Sequence, residues 1–287
     1  MCDDDIHPGL VHDPRLSRRA FGLMTVAATG IATVARADDK VEEKDVTVKT
    51  ADGVADAALF YPKGKGKWPA VLLWPDIMSL RPVFRDMGRR LAEAGYVVLV
   101  PNLYYRVRKA PVIDGRFDFS KPDDRAKLMT LRPSVTPAGT ARDAEAYVAF
   151  LDAQPQTDKT KKIGTQGYCM GGPLAFYTAG AAPGRIGAVA TFHGGGLVSK
   201  DADSPHLLIP KTHAEYLIEI AGNDDQREPD VKDQLKAAFA SAKRPAQVEV
   251  FGGSNHGWTV KGSQVYDEPA AERAWSNLLA LYKRALG

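Results

Sequence analysis

Covalent staples and metal chemistry are the first things this sequence lacks. Two cysteines occur in 287 residues, Cys2 and Cys169, too few for a disulfide-stapled scaffold. No C-x-x-C is present and the six histidines are scattered, so no metal-ligand spacing exists and neither a metal nor another cofactor is expected. An uninterrupted apolar run of about eighteen residues is missing, and with it the signature of a stable membrane span. An excess of one charge is missing too. Lys+Arg 38 against Asp+Glu 35 leaves +3, too little to suggest nucleic acid or an anionic membrane as partner. No internal repeat and no dividing linker appear. The remainder is ordinary for a globular chain, 44% hydrophobic and 25% charged, and long enough to bury a core unaided.

The amino-terminal segment reads as a processing signal. Arg15-Leu16-Ser17-Arg18-Arg19-Ala20-Phe21 carries paired arginines, a mild apolar run extends to Ala35, and Ala35-Arg36-Ala37 is a small-residue cleavage pattern. The order resembles a twin-arginine export signal. It implies residues 1–37 as signal peptide, cleavage after Ala37, the twin-arginine export machinery as a partner and a periplasmic destination. The competing reading is an amphipathic cytosolic helix. Residues 38–287 then form one domain. Cys2 leaves with the signal, so Cys169 is the single thiol of the mature chain, either well buried or retained for chemistry.

Hydrophobic patterning orders the rest. Asp38 to Lys44 is charged and expected to be a lead-in. Val46–Thr50 and Ala57–Tyr61 read as a hairpin around Ala51-Asp52-Gly53. Pro69-Ala70-Val71-Leu72-Leu73-Trp74 and Tyr96-Val97-Val98-Leu99-Val100-Pro101 are continuous apolar runs, the pattern of strands buried on both faces. Between them, Val83 to Ala94 has helical spacing. Further strands are expected at 162–166, 186–192, 216–221 and 247–251, and helices at 138–153, 173–179, 231–241 and 270–286. Strands alternating with helices predict a three-layer α/β/α domain with a mostly parallel sheet. Asn102 to Pro137 shows no periodicity, and a loop of that length is usually functional or contains short helices.

Gly167-Tyr168-Cys169-Met170-Gly171-Gly172 sits between a strand and a helix, the setting of a nucleophile elbow with cysteine in the serine position. Alone it is equally a turn with an inert buried thiol. Two other groups share its placement after a strand, where reactive groups of parallel sheets gather. Asp224 and Asp225 follow 216–221, and His256 follows 247–251 in Gly252-Gly253-Ser254-Asn255-His256-Gly257-Trp258. Nucleophile, acid, histidine is the chain order of α/β-hydrolases. His256 would take the thiol proton and an aspartate would orient its ring, Asp225 first and Asp224 as its rival.

With these residues in view, the chain from Val46 onward resembles the dienelactone hydrolase family of α/β-hydrolases. The resemblance rests on Gly167–Gly172, on Gly222-Asn223-Asp224-Asp225-Gln226-Arg227-Glu228-Pro229, on the turn at His256, and on the segment from Trp74-Pro75-Asp76-Ile77 to Val100-Pro101. It implies the α/β-hydrolase fold and hydrolysis of a small-molecule carboxylic ester or lactone through Cys169, His256 and Asp225, with a thioester acyl-enzyme. It selects Asp225 over Asp224. It implies the backbone N–H groups of Ile77 and Met170 as oxyanion donors. It places Asp76 where the family has a glutamate that contacts the resting cysteine, making Asp76 the expected gate of the nucleophile. Where dienelactone-specific members carry an arginine, four residues after the histidine, this chain has Val260. That favours a less anionic substrate.

His193-Gly194-Gly195-Gly196 has the letters of a lipase oxyanion motif but follows the nucleophile. It reads as a tight loop at the pocket floor. Tyr104, Tyr105 and Arg106 either line the pocket or pack and solvate the long loop, and Trp258 joins them as a pocket candidate. Two other readings of the chain remain: a non-catalytic binding protein on the same fold, and a peroxide-sensing thiol.

Overall fold

The computed structural model describes residues 11–12, 40–113 and 115–287. Apart from Val11–His12, the expected signal peptide and its cleavage site after Ala37 lie outside the described residues.

In chain order the strands are β1 (Val11–His12), β2 (Val41–Thr50), β3 (Gly53–Pro62), β4 (Ala70–Trp74), β5 (Val97–Pro101), β6 (Phe117–Asp118), β7 (Ile163–Tyr168), β8 (Ile186–Phe192), β9 (Glu215–Ala221) and β10 (Ala246–Phe251). Eight of them form one sheet in the order β10-β9-β8-β7-β4-β5-β3-β2. The hairpin β2–β3 is antiparallel and β3 joins β5 antiparallel, while neighbours from β5 through to β10 run parallel. The remaining two, β1 and β6, make a small antiparallel pair.

The pleat sends alternate side chains to opposite faces, and the central strands show it. Ala70, Leu72 and Trp74 enter one core with Ala144, Tyr147 and Leu151 of the Pro137–Ala153 helix, Leu174 of the Gly171–Ala181 helix, and Leu235 and Phe239 of the Val231–Ala242 helix. Val71 and Leu73 enter the other, with Phe84 and Leu91 of the Pro82–Glu93 helix and Leu278 and Leu281 of the Glu268–Ala285 helix. Helices on both faces make three layers, the α/β-hydrolase arrangement. Proline at the start of the Pro82–Glu93 and Pro137–Ala153 helices costs nothing, since those first N–H groups lack helical acceptors. No helix of the described residues is long and apolar enough to cross a membrane.

One segment differs from expectation. The charged lead-in becomes strand from Val41, whose buried side chain opens a register running from Val41↔Pro62 to Thr50↔Gly53. The aperiodic 102–137 segment contains short elements, one of its two expected readings: β6, a Pro122–Leu131 helix and a 3-10 turn at Arg132–Ser134. Asp224 and Asp225, after β9, lie on a short helix, Gly222–Arg227.

The sheet order reverses at β4, so the loops after β4 and β7 open side by side at their carboxyl ends. A crevice at such a switch point is where open α/β sheets bind ligands. Cys169 follows β7 and Asp76-Ile77 follows β4.

Candidate active site

The turn at Cys169 is strained as an elbow requires. Cys169 is a non-glycine residue at φ +52°, a conformation that is uncommon without a local reason. Its N–H donates to the Phe192 carbonyl at 3.1 Å. The flanking glycines are there for space. A Cβ on Gly167 would stand 1.9 Å from the Gly171 carbonyl oxygen, and one on Gly171 would stand 2.5 Å from the carbonyl oxygens of Trp74 and Pro75. Strand, turn and helix are therefore in backbone contact, and β4 is pressed against the turn. The thiol lies at the start of the Gly171–Ala181 helix and is buried.

His256 stands in the turn after β10. Its backbone N–H donates to Asn223 Oδ1 at 2.8 Å, and its Nδ1 lies 2.7 Å from Asp224 Oδ2. The aspartate on the imidazole is thus Asp224. Asp225, the expected partner, is instead held by Lys232 Nζ at 2.7 Å. The cause is the Gly222–Arg227 helix: successive side chains diverge by about 100°, so only one of two adjacent aspartates can face the histidine. Burial pushes the Asp224 carboxyl up, but the His256 and Arg227 contacts outweigh it and hold the group below its ordinary range. A carboxylate on Nδ1 fixes the ring's tautomer, leaves Nε2 as the basic nitrogen and stabilises the imidazolium.

His193 links the two halves. It follows Phe192, whose carbonyl receives the Cys169 N–H, and its own ring lies 4.8 Å from the His256 ring between centroids. Its Nε2 is 2.8 Å from Thr259 Oγ1, its N–H donates to the Glu219 carbonyl, and its φ is +43°. His193 therefore braces the turn that carries His256. Trp258, expected in the pocket, is fully buried against Phe251 and His193 in the core beneath that turn. Val260 is buried in the same cluster.

The loop after β4 holds Asp76, the expected gate of Cys169, in other bonds: its carboxylate accepts from Arg81 Nη1 at 2.5 Å and Nη2 at 2.7 Å, and from the Met78 N–H at 2.9 Å. Both members of this ion pair are buried. Asp76 is one methylene shorter than glutamate, and a fork-shaped cation five residues on takes up both its oxygens. The N–H groups of Ile77 and Met170 find no acceptor among the described residues, so two buried donors flank the elbow unspent.

Of the three residues after β5, only Tyr104 approaches this centre. Its hydroxyl donates to the Ile77 carbonyl at 2.8 Å and lies 3.9 Å from Met170 Sδ. Tyr105 and Arg106 turn the other way. The Tyr105 hydroxyl donates to Asp143 at 2.6 Å, and Arg106 spans Asp143 and Asp52. They fasten the long segment to the Pro137–Ala153 helix and the β2–β3 turn, the packing alternative rather than the pocket.

Arg81, Asn223 and Thr259 escaped the sequence reading. Each acts through tertiary contacts with a residue already singled out. Only Arg81, following Asp76 and preceding a helix-starting proline, left a trace in the sequence.

The chain matches the model of the Dienelactone hydrolase family over residues 55–286. It is 25% identical over 225 residues to the carboxymethylenebutenolidase of Rhodococcus opacus, covering 77% of this chain and 83% of that one. It is 30% identical over 227 residues to protein usf of Aquifex pyrophilus, covering 77% and 90%. Among solved structures, a dienelactone hydrolase-like promiscuous phosphotriesterase from metagenomic libraries superposes with a TM-score of 0.68, over 86% of this chain and 100% of that one, at 22% identity. That last likeness is one of fold.

Proposed function

The chain belongs to the dienelactone hydrolase family, and on that premise we propose that it cleaves neutral carboxylic esters or lactones with Cys169 as nucleophile, His256 as base and Asp224 as the group that orients His256. It is a hydrolase by family, with a small molecule as substrate. The observation that carries the finer reading is the Asp224–His256 pair at 2.7 Å, joined through His193 and Phe192 to a strained cysteine turn.

His256 Nε2 takes the Cys169 proton, and the thiolate attacks the carbonyl carbon. The negative charge moves to the carbonyl oxygen, where the Ile77 and Met170 amides receive it. The tetrahedral intermediate collapses as His256 returns its proton to the leaving alkoxide. An alcohol departs, or stays tethered if the substrate is a lactone, and a thioester remains on Cys169. Water, deprotonated by His256, attacks the thioester, and the acid leaves as the thiol is restored. Neutral substrates are favoured because Arg81, the cation beside the elbow, is already neutralised by Asp76.

The test is turnover of p-nitrophenyl acetate and a lactone panel by wild type and Cys169→Ala. Turnover lost in the variant is expected. A wild type that neither hydrolyses any of these nor takes up iodoacetamide at Cys169 ends the proposal.

The amino-terminal segment supports a reading of export to the periplasm. Cell fractionation of the full chain and of an Arg18→Lys/Arg19→Lys variant tests it, with retention of the variant in the cytoplasm as the expected result.

A further inference from the structure

An amide can serve as an oxyanion donor only if its direction is held before charge develops, because reorientation during the reaction would cost what the hydrogen bond returns. The Ile77 N–H belongs to an irregular loop, so something other than a helix or strand must hold it. The peptide that follows, Ile77–Met78, is gripped at both ends. Its carbonyl accepts the Tyr104 hydroxyl at 2.8 Å, and its N–H donates to Asp76 Oδ1 at 2.9 Å. The peptide that carries the Ile77 N–H is held at its other end, where the Asp76 carbonyl accepts the Ser79 N–H at 2.8 Å. Behind these bonds stands Arg81, which grips both Asp76 oxygens and reaches the Ser79 carbonyl at 3.3 Å.

Tyr104 is itself rooted in the same loop. Asn102 Oδ1 accepts the Tyr104 N–H at 3.0 Å and the Ser79 hydroxyl at 2.9 Å, and Ser79 Oγ accepts the Leu103 N–H at 2.8 Å. Ser79 holds φ +61° to do this. The same phenol hydroxyl lies 3.9 Å from Met170 Sδ, so one side chain touches both residues that supply the unspent amides.

We propose that Tyr104, backed by the Arg81–Asp76 pair, is a positioning residue for the oxyanion hole: its hydroxyl, on the Ile77 carbonyl and against Met170, aims the Ile77 amide. The inference rests on the acyl-transfer reading above. It assigns Arg81 a structural use, in place of substrate binding.

Two reactions at the same thiol separate aim from nucleophilicity. Ester hydrolysis builds an oxyanion, whereas alkylation by iodoacetamide builds none. In the full chain, Tyr104→Phe is expected to lower kcat for p-nitrophenyl acetate by ~10–100-fold, a fraction of the ~10²–10³ that follows loss of a whole donor. KM and the alkylation rate of Cys169 should stay within about threefold of wild type, as expected when only transition-state binding is lost. Arg81→Lys, which keeps the charge and loses the fork, is expected to show the same split and serves if Tyr104→Phe fails to fold. Unchanged kcat in the folded variant overturns the proposal. So does an alkylation rate that falls in step with kcat, which would place the damage at the thiol. A wild type inert in both reactions instead removes the acyl-transfer reading itself.

Discussion

His256 Nδ1 lies 2.7 Å from Asp224 Oδ2 with both side chains nearly out of water, while Asp225, the next residue, is tied to Lys232. Asp224→Asn should therefore lower kcat by ~10²–10⁴, since an amide neither holds the needed tautomer nor stabilises the imidazolium. Asp225→Asn should leave kcat within about threefold, having lost only a partly exposed ion pair. Steady-state kinetics on the two variants decide it, and the opposite ranking would return the role to Asp225.

Glu219, on β9 beneath the His193 backbone, carries a different prediction. Burial pushes its carboxyl up to about 7, against weaker lowering by a hydrogen bond from Asn277 and the charge of Arg273. One oxygen accepts from Asn277 at 2.9 Å and the other has no hydrogen-bond partner among the described residues. A folded-state value raised above the ordinary 4.5 means the folded chain keeps a proton that the unfolded chain releases. That stability is fully present below about pH 4.5 and is lost as pH rises to about 7. Glu219→Gln should match wild type near pH 4 and exceed it by up to ~3 kcal/mol at pH 8. Urea unfolding at the two pH values reads the difference, and equal stability at pH 8 would show that the carboxylate is not buried as described.

The elbow's glycines make a packing prediction. Gly167→Ala places a methyl 1.9 Å from backbone oxygen, which no rotamer relieves, whereas a methyl on Gly195 would meet nothing within 4 Å. Overpacking of this kind costs at least ~1–3 kcal/mol, or a Tm lower by ~3–10 °C in a chain this size. Gly195→Ala should fall within about 2 °C of wild type. Thermal unfolding of both variants is the check, and tolerance of Gly167→Ala would argue that the turn relaxes.

Arg106 is expected to matter for stability and little for rate. It joins Asp143 and Asp52, and with Tyr105 it anchors the segment after β5. Arg106→Ala leaves the buried Asp143 short of its main cation, a loss of ~1–3 kcal/mol. KM and kcat should move by less than about threefold. A rise in KM well beyond that, without loss of stability, would put Arg106 at the substrate after all.

Much of this was legible in the chain itself. The runs at 70–74 and 97–101 are apolar on every residue, which only a strand covered on both faces tolerates, and they became β4 and β5 at the centre of the sheet. The glycines around Cys169 announce a close approach of strand and helix before any contact is known. The strand before Val46 was hidden because its alternation is masked by charge at the edge of the sheet. The 102–137 segment was opaque because the Pro122–Leu131 helix has no strong apolar stripe and buries only Leu128.

What the sequence determined by itself is local or periodic: buried strands, the elbow, and the order cysteine, acid, histidine. Tertiary structure alone decided which carboxylate serves which cation. Asp224 and Asp225 have equal chemistry and adjacent positions, and a turn of helix about 100° per residue separates their partners. Asp76 meets Arg81, and Arg106 meets Asp52 and Asp143, because a charged side chain removed from water takes whichever complement the packed chain brings within reach.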